Sequence, residues 1–309
     1  MRDLYRYIWK ESGRQQVILS ALAVALFLIE LAPLELQRRI VNGAVGHQDF
    51  GLIGVLCVVY VAVTLAQGGL KLVLNVYRGA VGEAANRRLR MHVHAPEVKP
   101  AGDGKVSNHE GVAISIIVSE VEAVGGFIAS SFSVPMLNGG ILLSVLGYML
   151  STQPLLALVA VLLLVPQFLF IPLLQRAINR RTGSRIKVLR ALSVNIVDEA
   201  VDGAKTSDEK KFQRGVNDIY RLNMEIFRRK FGMNFLMNLM YHLGVIGILS
   251  VGSWLLLQGQ TEVGTIVAFI SGLNRMNDPW GDLVDFFRDL TNAGVKFRLI
   301  MSTLGKKLP

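Results

Sequence analysis

Charged side chains vanish between Ala123 and Gln175, where one long apolar run is broken only by Ser151-Thr152-Gln153-Pro154. That tetrapeptide reads as a tight turn. About 20 apolar residues lie on either side of it, the length a helix needs to cross ~30 Å of hydrocarbon. Residues 176–230, directly after, are crowded with Arg and Lys. The same alternation runs through the chain and predicts six spans, at 17–36, 51–74, 127–150, 154–174, 231–257 and 264–287, the last being the least hydrophobic. Ahead of them, residues 1–10 set Leu4, Tyr5, Ile8 and Trp9 against Arg2, Arg6 and Lys10, the pattern of an elbow helix lying in the membrane interface. The 17–36 run is too long for a signal-peptide core, and no small-x-small cleavage site precedes Gln37-Arg38-Arg39.

The connections alternate as well. Short ones, at 42–50, 151–153 and 258–263, separate long basic ones carrying Arg78, Arg87, Arg88, Arg90, Lys99 and Lys105, then Arg176, Arg180, Arg181, Arg185, Lys187 and Arg190. Positive charge marks the cytoplasmic side, so both long loops and both termini are expected there. The long loops retain helical periodicity. Ile186, Leu189, Ser193, Ile196 and Ala200 follow heptad spacing, as do Phe212, Val216, Ile219, Asn223 and Ile226, which predicts two antiparallel helices beyond the bilayer. A helix over 175–202 is about 40 Å long. Asp202-Gly203 marks the reversal, and Thr206-Ser207-Asp208-Glu209 offers a capping box for the return. In the first loop a helix through 86–93 stops at Pro96 and Pro100, the chain turns at Gly102-Asp103-Gly104, and Ser107 with Glu110 caps the next helix. Two hairpin tips, 104–108 and 203–209, are thus presented far from the membrane as contact points for a soluble partner. The fold class is all-α integral membrane.

Composition narrows the functional classes. Hydrophobic residues are 51%, charged residues only 18%, mean hydropathy is +0.43 and net charge +10. The positive charge sits beside apolar spans, without zinc-finger spacing or an aromatic-basic RNA-binding signature, which argues against a nucleic-acid partner. A single cysteine, Cys57, excludes an intrachain disulfide.

Candidate chemistry is sparse. His92 and His94, two apart, lie on different helix faces, and no carboxylate or thiol completes a ligand set with them and His109, so no metal site is expected. No catalytic Ser/His/Asp or Cys/His arrangement is evident. Asn234, Asn238 and His242 form a polar stripe on the fifth span. Asn274, Asp278, Asp282, Asp285 and Asp289 form a longer one on the sixth, with Arg275 beside it. Ionisable groups at membrane depth face the bundle interior or water, so these stripes, with Glu30 on the first span and Lys71 on the second, are candidates for a hydrated substrate pathway. Interhelical hydrogen bonding and an Arg275–Asp278 pair are the structural alternative. Glu35, Arg38 and Arg39 read as hydrated at the outer surface, and Gly68-Gly69, Gly125-Gly126 and Gly139-Gly140 as close-packing sites.

Several segments together resemble the transmembrane domain of type I exporter-fold ABC transporters. They are Gly259-Gln-Thr-Glu-Val-Gly264-Thr265-Ile-Val-Ala268-Phe269, then Asn274-Arg275-Met-Asn-Asp-Pro279 and Arg298; Arg87-Arg-Leu-Arg-Met-His-Val-His-Ala-Pro96; and Val201-Asp-Gly203-Ala-Lys205 with Phe212. The resemblance covers essentially the whole chain. It implies six helices per subunit and a homo- or heterodimeric twelve-helix pathway, in which the fourth and fifth helices of each subunit reach across to the other. It also implies coupling elements at Gly104, Lys105, Val106 and Ser107 and at Asp202, Gly203, Lys205 and Thr206, seated in a cytoplasmic ATPase. No Gly-x4-Gly-Lys-Ser/Thr is present, since Lys99 stands where Gly104-Lys105 would need a leading glycine and Val106 follows. The chain itself is therefore expected to carry no cofactor and no ATPase activity, with ATP and Mg on a separate ABC ATPase subunit. The expected function is a permease subunit working by alternating access in lipid, in a bacterial inner (plasma) membrane. The alternative is a non-transporting scaffold or sensor that retains the fold.

Overall fold

The computed structural model describes residues 2–46, 50–93, 120–202 and 209–303, and these are helical apart from short turns. The elements are α1 (Arg2–Ile29), α2 (Ala32–Val45), α3 (Phe50–Val93), α4 (120–130), α5 (Ser133–Thr152), α6 (Pro154–Asp202), α7 (Glu209–Leu257) and α8 (Val263–Thr303). Among the described residues, five helical stretches are long and apolar enough to cross a membrane: Asp3–Val45, Phe50–Met91, Ser133–Thr152, Pro154–Leu189 and Phe212–Leu257. The aspartate-bearing α8 is not among them. Its 41 residues are long enough, so composition and not length sets it apart. At 44 residues, α3 is about 66 Å long, well beyond the hydrocarbon thickness. Its exposed Val55, Val58, Leu65 and Val73 form the apolar surface that lipid requires.

Two of the spans expected to be continuous are broken. The 17–36 run stops at Glu30–Leu31 and restarts at Ala32. Pro33 is the cause: it has no N–H for the Ile29 carbonyl, yet suits the first turn of α2. Leu34 N–H then bonds to Leu31 O (3.1 Å), which leaves the Glu30 carbonyl without its helical donor. The 127–150 run breaks at Ser131–Phe132 for the same reason, because Pro135 cannot donate to the Ser131 carbonyl. There the Ser131 hydroxyl bonds back to Ile128 O (2.9 Å) and Ser133 to Ala129 O (3.2 Å). A third irregularity lies inside α1 at Ser12 (φ −137°, ψ 20°), where the 2–11 segment gives way to the apolar stretch.

The expected turn at 151–154 is present, with Gln153 extended and Pro154 opening α6. At the α7–α8 turn, Gly259 adopts φ 70°, Gln260 N–H bonds to Leu255 O (2.9 Å) and Gly259 N–H to Leu256 O (3.0 Å). That is a Schellman ending, and the positive φ explains the glycine.

The chain divides into two compact units, residues 1–157 with 252–309, and residues 158–251. In the first, Leu4, Tyr7 and Ile8 of α1 pack with Leu89 of α3, Phe127 of α4, and Phe286, Phe297 and Ile300 of α8. Ion pairs Arg88–Glu11 (2.9 Å) and Lys296–Glu120 (2.7 Å) flank this cluster. At the other end α2 meets the start of α8, where Gly264 N–H donates to Asn42 Oδ1 (2.7 Å). A Cβ on Gly264 would lie 2.2 Å from the Arg38 carbonyl oxygen, so only glycine permits this approach.

In the second unit α6 and α7 run antiparallel, since the contacts Arg181–Glu225 (2.9 Å), Arg185–Asn223 (3.2 Å) and Leu192–Gly215 keep a nearly constant sum of residue numbers. The heptad reading is only partly right about what seals them. Ile226 is buried, but Ile186, Leu189, Phe212 and Val216 are each about 40% exposed. Ion pairing, the Arg185–Asn223 bond and the Leu192–Gly215 notch hold the pair, because two isolated helices bury only a narrow strip.

Candidate functional site

A cleft of about 490 Å³ opens in the first unit between α1, α3, α4, α5 and α8. The helix break at Glu30 supplies its end wall. Arg275 of α8 donates to the freed Glu30 carbonyl (3.3 Å) and forms an ion pair with the Glu30 carboxylate. The pair is only partly accessible, with 24% and 14% of the two side chains exposed, so it closes that end of the cleft at little cost in bare charge. The long wall of α8 presents Asp278, Asp282, Asp285 and Asp289, spaced four, three and four residues apart and therefore on one helix face. Arg288 pairs with Asp285 (2.9 Å) and reaches Asp289 (3.5 Å). Opposite them α3 contributes Lys71, Asn75 and Arg78 at i, i+4, i+7. Asn138 of α5 lies beside Asp282, while Leu26, Leu137 and Ile141 add apolar lining.

Five of the pathway candidates named from the sequence thus converge: Glu30, Lys71, Arg275, Asp278 and Asp282. Asn274 does not join them. It sits one turn before Asp278, is exposed, and lies outside the cleft lining. Asn234, Asn238 and His242 are exposed positions of α7 within the other unit and line none of this cleft. The anticipated Arg275–Asp278 pair is not the one formed, because the helix break offers Arg275 both a carboxylate and a free carbonyl at Glu30. Of the coupling candidates, Gly104, Lys105, Val106, Ser107, Gly203, Lys205 and Thr206 lie outside the described residues, and Asp202 is the last residue of α6.

Sequence reasoning passed over Asn75, Arg78 and Asn138. The signal for the first two was available, since Lys71, Asn75 and Arg78 make a polar stripe on an otherwise apolar helix, but Arg78 reads as loop charge once a span is ended at Leu74. Nothing local marks Asn138. Glu35, Arg38 and Arg39, expected to be merely hydrated, form a clasp: both arginines pair with Glu35 (3.0 and 2.7 Å), and Tyr148 of α5 donates to it (2.9 Å). Beside the Ser12 kink, Gln16 donates to Ile128 O (2.8 Å), which joins two irregular segments inside the core. Among the described residues no three His, Cys, Asp or Glu side chains are grouped to hold a metal ion.

Comparison with known families agrees with the helical architecture: the family model described as ABC transporter transmembrane region matches residues 22–280. No curated protein matches the chain.

Proposed function

The chain belongs to the ABC transporter transmembrane region family, and from that premise we propose that it is a permease subunit whose charged cleft is the substrate pathway. It is an integral membrane protein and a membrane component of an ABC transporter. The observation that carries the finer reading is the cleft itself, with ionisable side chains of α3 and α8 gathered around an open volume within otherwise apolar helices. Charges at such depth are costly unless they face protein or water, and a translocation pathway supplies that setting.

In this reading α8 is the sixth span. Its low hydropathy follows from lining the pathway, whereas the other spans meet lipid over more of their surface. Two such subunits form the full pathway, the basic loops and both termini are cytoplasmic, and the membrane is a bacterial inner membrane. The tips around Gly104–Ser107 and Asp202–Thr206 engage a partner ATPase carrying ATP and Mg. No phosphate-binding loop occurs in these 309 residues. Closure of the ATPase alternates the access of the cleft between the two sides.

The test is reconstitution of the chain in proteoliposomes with a separately expressed ABC ATPase. ATP hydrolysis should rise above that of the ATPase alone. Gly203→Val, which places a β-branched residue at the expected reversal, should abolish the rise while leaving membrane insertion intact. If hydrolysis is unchanged by the chain, and an azido-ATP analogue photolabels the chain itself, the permease reading fails.

A further inference from the structure

The charges of the cleft do not cancel locally, and the way they are left over suggests a ligand. Glu30 is taken by Arg275, and Asp285 and Asp289 by Arg288. Among the described residues, four charged groups of the lining have no ion-pair partner within 4 Å: Asp278 and Asp282 on α8, Lys71 and Arg78 on α3. Arg78 and Asp282 lie within each other's field without closing a bridge. In addition, the Nε and Nη2 atoms of Arg78 are buried with no hydrogen-bond acceptor. Donors of this kind are rarely left empty, because their desolvation goes uncompensated. Two unpaired anions of α8 and two unpaired cations of α3 therefore line the same cleft, together with the apolar Leu137 and Ile141, around a volume within the usual range for small-molecule clefts, about 300–1,000 Å³.

We propose that this cleft selects a zwitterion, placing its ammonium group against Asp278 and Asp282 and its carboxylate or phosphate against Lys71 and Arg78. The inference rests on the permease reading for what the cleft is for, but its chemistry stands on the wall charges alone. A ligand with only one sign of charge meets one set of groups and leaves the other without a counterion. A neutral ligand does this to both. A dipolar ligand meets both walls, and the planar fork of Arg78 can take an oxyanion on two nitrogens. The same chemistry is offered by a short peptide with free termini and by the headgroup of a phosphatidylethanolamine.

The experiment is equilibrium binding to the purified full-length chain in nanodiscs of anionic lipid, with no ATPase present. The first probe series is radiolabelled leucyl-phenylalanine, its N-acetyl form, its amide and its N-acetyl amide. The second is short-chain phosphatidylethanolamine, its N-acetyl form and the matching diacylglycerol. In at least one series the zwitterion should bind about tenfold or more tighter than every member lacking one charge. Preference in the peptide series identifies a polar solute, and preference in the lipid series a headgroup. Asp278→Asn with Asp282→Asn should remove the advantage over the N-acetyl form. Lys71→Gln with Arg78→Gln should remove the advantage over the amide and, in the lipid series, cut the advantage over the diacylglycerol to the part contributed by the ammonium. The wild-type comparison decides by itself if a variant does not fold. Equal binding of charge-deleted members, or no binding of either zwitterion, overturns the proposal. ATPase stimulation without zwitterion preference leaves the permease standing and removes this inference, while the reverse result removes only the permease.

Discussion

Removing the Arg275 side chain should destabilise the first unit more than removing the charge of its partner, and the difference follows from where the helix breaks. Arg275 makes two interactions with one residue: an ion pair with the Glu30 carboxylate and a 3.3 Å bond to the Glu30 carbonyl, whose helical donor, Leu34 N–H, turns to Leu31 O at the Pro33 break. A charge-assisted bond contributes about 1.5–3 kcal/mol and a neutral one about 0.5–1.5 kcal/mol. Neutral interhelical hydrogen bonds in membranes average nearer 0.6 kcal/mol, which favours the lower half of both ranges. Arg275→Met should therefore cost about 2–4 kcal/mol, because it also strands a partly buried carboxylate. Glu30→Gln keeps the backbone carbonyl and one side-chain oxygen as acceptors and should cost about 1–2 kcal/mol. The exchange Glu30→Arg with Arg275→Glu is the discriminating variant. It restores a charge pair but leaves residue 275 with no N–H to offer the carbonyl at position 30, so recovery should be partial. The measurement is thermal unfolding in nanodiscs followed by tryptophan fluorescence, with a double-mutant cycle on the pair. Equal midpoints for Arg275→Met and wild type, or complete recovery by the exchange, would refute the reasoning.

Other expectations are more local. Gly264→Ala forces a Cβ to 2.2 Å from the Arg38 carbonyl oxygen and 2.5 Å from Asn42 Oδ1, so it should cost about 1–3 kcal/mol and lower the same unfolding midpoint. Asn42→Ala, which removes the acceptor for Gly264 N–H and the donor to Glu262, should cost about 1 kcal/mol. Tyr148→Phe removes the hydroxyl that ties α5 to Glu35 and should cost about 1 kcal/mol, with Glu35→Gln adding little beyond it if the clasp acts as one unit. Cysteines placed at Ser107 and Ser207 in a Cys57→Ser background should react with impermeant thiol reagents only from the cytoplasmic side, and labelling from outside intact cells would contradict the topology.

The architecture was legible along the chain because its determinants are local. A run of about 20 apolar residues without charge has few alternatives to a membrane helix, and Ser-Thr-Gln-Pro must interrupt it. The polar stripe on α8 and the candidacy of Glu30, Lys71, Arg275, Asp278 and Asp282 were visible for the same reason, since charges at that depth are exceptions. What pairs with what was not visible. Helical spacing on α8 proposes Asp278 for Arg275, yet the partner is Glu30, 245 positions away in the chain, because the Pro33 break exposes a carbonyl that only α8 can reach. Asn138 joins the cleft through a packing angle that no local pattern records. The α6–α7 heptads fared less well, because periodicity states which face is apolar but not how much of it a two-helix pair can cover. The spans and the depth of their charges are properties of single segments, set by the transfer of side chains from water to hydrocarbon. Which charges are left unpaired around the cleft is decided only when four or five segments meet.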